Sequence, residues 1–205
     1  MTTFLAAPRA RGPEPSMDDV KRTIFNGFET WGADSIEVEF RLGKITKTKF
    51  LALLDTLSKC HMLEEMPRTK TREQFNGTEA RVVHDIAQDG SLQNERTLYK
   101  KKLITKDLRG GIRLQTCLER HGNPDLENPY TMYRIKDRRS FNFADVWRFD
   151  LTMVETNDPR YSDADDYIYE AEIELFTQSD SMYYFTVEHL LTWGEDLTRQ
   201  LLSIE

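Results

Sequence analysis

The sequence predicts an α+β fold whose strands form an antiparallel sheet or barrel. Two stretches, Ile36-Glu37-Val38-Glu39-Phe40-Arg41-Leu42-Gly43 and Tyr169-Glu170-Ala171-Glu172-Ile173-Glu174-Leu175, alternate between apolar and charged residues, the period of a strand with one buried face. From about Thr69 the hydrophobic period turns from helical to β. Turn signals then recur at Asp89-Gly90, Gly110-Gly111, Gly122-Asn123-Pro124 and Asn157-Asp158-Pro159. No helical pattern separates these later strands, so they pair antiparallel rather than through helical crossovers.

Residues 1–16 hold Pro8, Gly12, Pro13 and Pro15 and are expected to be a flexible leader ahead of a single domain over 17–205. A helix is expected at 17–31. Ser16 is placed to cap it, Asp18 and Asp19 favour its first turn, and Val20, Ile24 and Phe28 share one face before Gly32 stops it. The first carboxylate strand follows. A second helix at 46–61 buries Phe50, Leu53, Leu54 and Leu57. Strands are expected at 81–83, 96–103, 112–120, 133–143, 146–154 and 167–176. A last helix at 184–203 offers Val187, Leu190, Leu191, Leu197 and Leu201 for packing.

Of the 205 residues 39% are hydrophobic, enough for a core, and 31% are charged, above the usual share of about 25%. The formal net charge of -7 argues against attraction of nucleic acid by the molecule as a whole. The charge is unevenly distributed. Residues 96–139 carry twelve Lys/Arg against five Asp/Glu, and residues 145–174 carry ten Asp/Glu against two Lys/Arg. A basic block followed by an acidic block points to an internally paired site. Cys60 and Cys117 lack the spacing of a zinc site or a disulfide framework, and the four histidines show no ligand spacing. No apolar run approaches the roughly 18 residues of a membrane span, so no membrane partner is expected.

Nearly every strand has one face of long charged residues. Glu37, Glu39 and Arg41 share a face, as do Glu170, Glu172 and Glu174; Arg113 and Glu119; Lys136 and Arg138; and Arg148, Asp150 and Thr152. An ordinary sheet would leave these faces in water. A closed barrel of about eight strands would instead turn them inward and cover its apolar outside with helices. Carboxylates brought together on neighbouring strands repel, and a divalent metal would offset them. The inward arrangement is a cage for a polyanion and a metal.

Four segments in order resemble a known family. They are Ile36 to Gly43, Arg134-Ile135-Lys136-Asp137-Arg138-Arg139-Ser140-Phe141, Trp147-Arg148-Phe149-Asp150-Leu151-Thr152, and Tyr169 to Leu175. Together they are similar to the metal-dependent RNA 5′-triphosphatases of fungi, protists and large DNA viruses, which are triphosphate tunnel enzymes. The resemblance implies a closed antiparallel eight-stranded barrel, flanked by helices, that holds a 5′-triphosphate end. It implies hydrolysis of the γ-phosphate of 5′-triphosphate RNA to a 5′-diphosphate end, the first step of mRNA capping, and NTP hydrolysis beside it.

By the same resemblance Glu37, Glu39 and Glu174 bind the metal, Mg²⁺ or Mn²⁺. Glu170 and Glu172 complete an acidic floor that holds basic partners or the attacking water. Lys136 and Arg138 are the phosphate-binding pair, with Asp150 and Thr152 in support. Glu119 orients water, and Arg81 grips phosphate. Lys100, Lys101 and Lys102 offer a further basic contact without a means of choosing among them, and Arg113 joins Lys100 and Lys102 as a substrate contact. Partners implied are the RNA end, NTP and an mRNA guanylyltransferase. Localisation would be the nucleus for a host enzyme, or the virion or viral factory for a viral one. Two other readings stand beside this one. Tripolyphosphatase- or thiamine triphosphatase-type tunnel enzymes typically carry Glu-x-Glu-x-Lys in the first strand, where this chain has Arg41. A triphosphate-binding module without catalysis would bind and not turn over. Cysteine-based phosphatase chemistry is disfavoured, because the sequence has no Cys-x5-Arg arrangement.

Overall fold

The computed structural model describes residues 14–75, 79–122, 130–161, 167–176 and 184–204. Among these residues three α-helices, α1 (Met17–Trp31), α2 (Lys47–Lys59) and α3 (Val187–Ser203), accompany nine strands. These are β1 (Ile36–Ile45), β2 (Glu64–Glu65), β3 (Thr69–Phe75), β4 (Ala80–Ile86), β5 (Leu92–Asp107), β6 (Ile112–His121), β7 (Met132–Phe143), β8 (Trp147–Thr156) and β9 (Ile168–Leu175).

Eight strands close a ring in the order β7-β3-β4-β5-β6-β1-β9-β8, and the β7–β8 pairing shuts it. Every pairing is antiparallel. The two residues of β2 only extend the edge of β7 beyond β3. Strict alternation fixes the register, since a slip of one residue would turn every charged face outward. Ile36, Val38, Phe40 and Leu42 of β1 are buried on the outside of the barrel, where they join Ile112, Leu114 and Leu118 of β6 and Ala171, Ile173 and Leu175 of β9.

The helices cover this side. They pack on β1, β5, β6 and β9. Val20 and Ile24 of α1, Phe50, Leu53 and Leu57 of α2, and Leu190, Leu191, Leu197 and Leu201 of α3 supply the other half of the core. Gly194 lets α3 approach closely, because a Cβ there would lie 2.4 Å from the Phe40 ring and 2.7 Å from the Trp147 ring. Ser16 caps α1 in a reciprocal capping box with Asp19, and Thr46 and Thr186 cap α2 and α3 by accepting from the backbone NH groups of Lys49 and His189. Asp89-Gly90 turns β4 into β5, and Gly110-Gly111 turns β5 into β6 with φ of 82° and 77°.

Residues 1–13 of the expected leader, and Asn123 and Pro124 of one turn signal, lie outside the described residues. Periodicity anticipates all three helices and seven of the barrel strands. It does not anticipate β3, and it shortens β5 from 92–107 to 96–103. The face of β3 away from the barrel is Lys70, Arg72 and Gln74, and its inward face carries Thr69, Thr71 and Glu73. With no helix packed on it, β3 has no apolar face to betray its period.

Candidate active site

The inward faces enclose a cavity of about 250 Å³ along the barrel axis. β1 and β9 build its acidic wall. Their register sets Glu39 directly opposite Glu174, and Arg41 opposite Glu172. Glu37 stands one inward position further along β1 and is ion-paired with Lys100, which also lies 3.2 Å from Glu119. Glu39 is buried and accepts a hydrogen bond from Gln115 Nε2 at 2.7 Å. Glu172 is ion-paired with Arg41, and Glu174 accepts from Arg148 at 2.7 Å.

β7, β3 and β4 build the basic wall. Lys136 donates to Glu73 at 2.6 Å, and Arg81 reaches the other Glu73 oxygen at 3.3 Å. Arg138 pairs with Asp150 at 2.9 Å. Asp150 is fully buried and also binds Arg148 at 3.1 Å and the Ser140 hydroxyl at 2.6 Å. It therefore lies beneath the cavity and holds two arginines up to it. Thr152 is buried beside it on the same strand face, its hydroxyl without a partner among the described residues.

Burial and neighbouring charge divide the carboxyls into two kinds. Burial, with Glu37 and Glu172 repelling it, pushes Glu39 well above the usual carboxylate range. Burial raises Glu174 to about 8, and the nearby charges of Glu37 and Asp150 add to this against Arg148. Burial also acts upward on Glu172 and Glu73, but it is outweighed. Arg41, Arg138 and Lys136 bring Glu172 down to about 2. Lys136 and Arg81 hold Glu73 well below the ordinary range. Burial depresses Lys136, and Arg134 and Arg138 repel its charge. The cavity thus has an acidic end around Glu37, Glu39 and Glu174 that is short of positive charge, and a basic wall around Lys136 that is short of negative charge. A polyanion relieves the second shortage.

The donor set fits a hard divalent cation for the first. Glu37, Glu39 and Glu174 offer only carboxylate oxygens, and burial, with neighbouring carboxylates adding to it, holds Glu39 and Glu174 partly uncharged. Among the described residues no three acidic, histidine or cysteine side chains converge on one point as they stand. Glu37 is turned to Lys100, Glu39 to Gln115 and Glu174 to Arg148. Cys117 is buried behind Lys100, and burial pushes its thiol up to about 12, which removes it as a nucleophile.

Of the residues singled out in the sequence, Glu37, Glu39, Arg81, Lys100, Glu119, Lys136, Arg138, Glu172 and Glu174 line this one cavity. Asp150 and Thr152 lie under it. Lys100 is the lysine of the Lys100–Lys102 run that faces in. Lys102, Arg113 and Glu170 instead line an adjoining cavity of about 820 Å³ at the Arg41 end. Lys102 lies two residues beyond Lys100 in the same unbroken register, opposite Cys117 and nearer the Arg41 end, and Asp107 draws Arg113 aside at 2.7 Å. Glu170 pairs with Arg134 at 2.6 Å. Glu73 is a lining residue that sequence reasoning misses, because it sits on the unrecognised β3, and Asp85 and Arg96 line the cavity unanticipated as well. Arg148 also lines the cavity, and Arg134 approaches it. They were detectable as same-face neighbours, two residues before Asp150 and Lys136.

Residues 116–187 match the family described as mRNA capping enzyme, beta chain, a span running from β6 through β9 to the start of α3. The chain is similar in structure to S. pombe Pct1 RNA triphosphatase, with a TM-score of 0.67 at 16% identity over 98% of this chain and 100% of that one. Pct1 in complex with the Spt5 CTD gives a TM-score of 0.63 at 14% identity, over 95% and 96%. The Mimivirus capping enzyme triphosphatase gives a TM-score of 0.61 at 13% identity, over 90% and 96%. No curated protein matches the chain significantly by sequence. The fold is that of the triphosphate tunnel, an eight-stranded antiparallel barrel with a charged interior.

Proposed function

We propose that this chain is an RNA 5′-triphosphatase that acts in mRNA capping. The observation that carries the reading is the pairing, inside one closed barrel, of a wall of under-neutralised cations with an end of under-neutralised carboxylates. The segment that matches the capping-enzyme family supplies Lys136, Arg138 and Glu174, while Glu37 and Glu39 come from β1.

In this reading Lys136 and Arg138 hold the triphosphate, the first as a point charge and the second through a planar guanidinium suited to two phosphoryl oxygens. Asp150 keeps that guanidinium aimed. Arg81 and Lys100 lie on the cavity wall to take further phosphate oxygens. Glu119 orients a water in line with the γ-phosphorus. The water oxygen bonds to phosphorus, the bond to the β,γ-bridging oxygen breaks, and the products are 5′-diphosphate RNA and inorganic phosphate. Glu172 keeps its charge and fixes Arg41. Glu37, Glu39 and Glu174 would hold Mg²⁺ or Mn²⁺, which would polarise the γ-phosphate as a Lewis acid. NTP is accepted through the same triphosphate. The diphosphate product calls for a guanylyltransferase, in the nucleus for a host enzyme and in the virion or viral factory for a viral one.

The test is phosphate release from RNA bearing a 5′-triphosphate, with Mg²⁺ or Mn²⁺ and with chelator, beside inorganic tripolyphosphate. Metal-dependent release that favours RNA is expected. Release from tripolyphosphate alone would move the chain to the other tunnel enzymes, and no release from either would leave a binding module.

A further inference from the structure

The cavity of about 820 Å³ at the Arg41 end is not needed to hold three phosphates, and its lining is unlike the tunnel's. It is bounded by the Gly43-Lys44 end of β1, the Asp107–Arg113 hairpin turn, Lys102, and Tyr161 and Glu170. Most of its charges are matched: Arg113 by Asp107, and Arg41 by Glu172 and Glu170. Lys44 and Lys102 are exposed there and have no carboxylate partner among the described residues. Lys44 is held over the cavity by the Tyr161 ring, 4.9 Å from its centroid.

We propose that this basic mouth receives the single-stranded RNA chain beyond the 5′-triphosphate, with Lys44 and Lys102 on its phosphodiester backbone, so that RNA enters the tunnel from this end only. The inference rests on the triphosphatase reading and gives it a direction. Arg41 and Glu37 lie four residues apart on β1, about 13 Å along the strand. A triphosphate entering past Arg41 meets Lys136 and Arg138, and its γ-phosphate points toward Glu119 and the carboxylates Glu37, Glu39 and Glu174. Entry from the opposite end would draw the polyanionic chain over those same carboxylates, which line that part of the cavity.

The experiment is binding of a 5′-triphosphate mononucleotide, trinucleotide and decanucleotide to the whole chain in chelator, across a salt series, with inorganic tripolyphosphate alongside. The unmodified protein should bind the decanucleotide on the order of tenfold more tightly than the mononucleotide, with a steeper salt dependence. A Lys44→Gln, Lys102→Gln double variant should lose that gain, its salt slope falling by about 0.7 for each lysine removed. A Lys44→Arg, Lys102→Arg variant should keep it. Affinity independent of length in the unmodified protein, or a gain that survives the double glutamine variant, overturns the proposal. Should the glutamine variant not fold, a photoreactive base at the first nucleotide decides on the unmodified protein. Crosslinks at 44 or 161 support the mouth, and crosslinks around 119–121 overturn it. Phosphate release measured in parallel separates the two levels. Length-dependent binding without γ-phosphate release sinks the triphosphatase reading alone, and release without any length dependence sinks the mouth alone.

Discussion

Asp150 touches no part of the tunnel cavity, yet Arg138 and Arg148 both end on its carboxylate. Its fully buried place makes the charge tolerable only because those two guanidiniums and the Ser140 hydroxyl surround it. Asp150→Asn keeps the shape and removes the charge. The arginines then repel each other without an anchor, and kcat/KM for 5′-triphosphate RNA should fall on the order of a hundredfold, as expected when a phosphate clamp is misplaced. A melting curve run beside the kinetics should show a loss of about 3 kcal/mol, because one partner of a buried network has been deleted. Unchanged kinetics would mean that Arg138 is aimed by something else. Glu37 and Glu174 lie at the other extreme. Each lines the cavity, and Glu174 is held partly protonated by burial and its neighbours. Glu37→Ala and Glu174→Ala should therefore abolish metal-dependent turnover while leaving the melting temperature near its original value. Near-normal activity in either variant would refute the metal assignment.

At the level of elements, the strands with an alternating apolar face were legible in the sequence, and β3, which lacks one, was not. β1 and β9 announce themselves, since Ile36, Val38 and Phe40 or Ile173 and Leu175 must meet α1, α2 and α3 while the charges between them turn inward. Most of the candidate site followed from that, because Glu37, Glu39, Glu172 and Glu174 are simply the other face of the same alternation. β3 is polar on both sides, so neither the strand nor its Glu73 could be read, and the partner of Lys136 stayed unknown until the ring was seen closed. Lys100 and Lys102 share one strand face, so no periodicity tells which of them lies in the tunnel and which at its mouth. The helix-covered side also makes the sharper stability predictions. Val38→Asp places a charge on the buried outer face of β1 and should prevent folding, seen as loss of the cooperative melting transition. Gly194→Ala would normally help a helix, but its methyl would press on the Phe40 and Trp147 rings, both with no exposure. Overpacking of that kind costs about 1–3 kcal/mol and should lower the melting temperature despite the gain in helix propensity.

Considered whole, the molecule is a barrel with an apolar coat on one side and an interior of opposed charges. Its stability should therefore depend on pH in a way that an apolar core would not. Glu73 shows the sign most clearly. Burial alone would raise its carboxyl, but Lys136 and Arg81 hold it well below the ordinary value of about 4.3. A carboxyl depressed in the folded state stabilises that state above its unfolded pKa. The contribution disappears as the pH falls through the ordinary carboxylate range toward the depressed value. When Glu73 is protonated, Lys136 and Arg81 lose their shared counterion, and Lys136 is left facing Arg134 and Arg138. The melting temperature should accordingly drop steeply between about pH 5 and pH 3. Glu73→Gln should melt lower than the original at neutral pH, since the cations have lost their partner there already. Its acid limb should be shallower, since one titrating carboxylate has been removed. The two melting curves should converge toward low pH. A variant with an undiminished acid slope would place the acid sensitivity elsewhere in the ring. A variant as stable as the original at neutral pH would mean that the basic wall does not need Glu73 while no phosphate is bound.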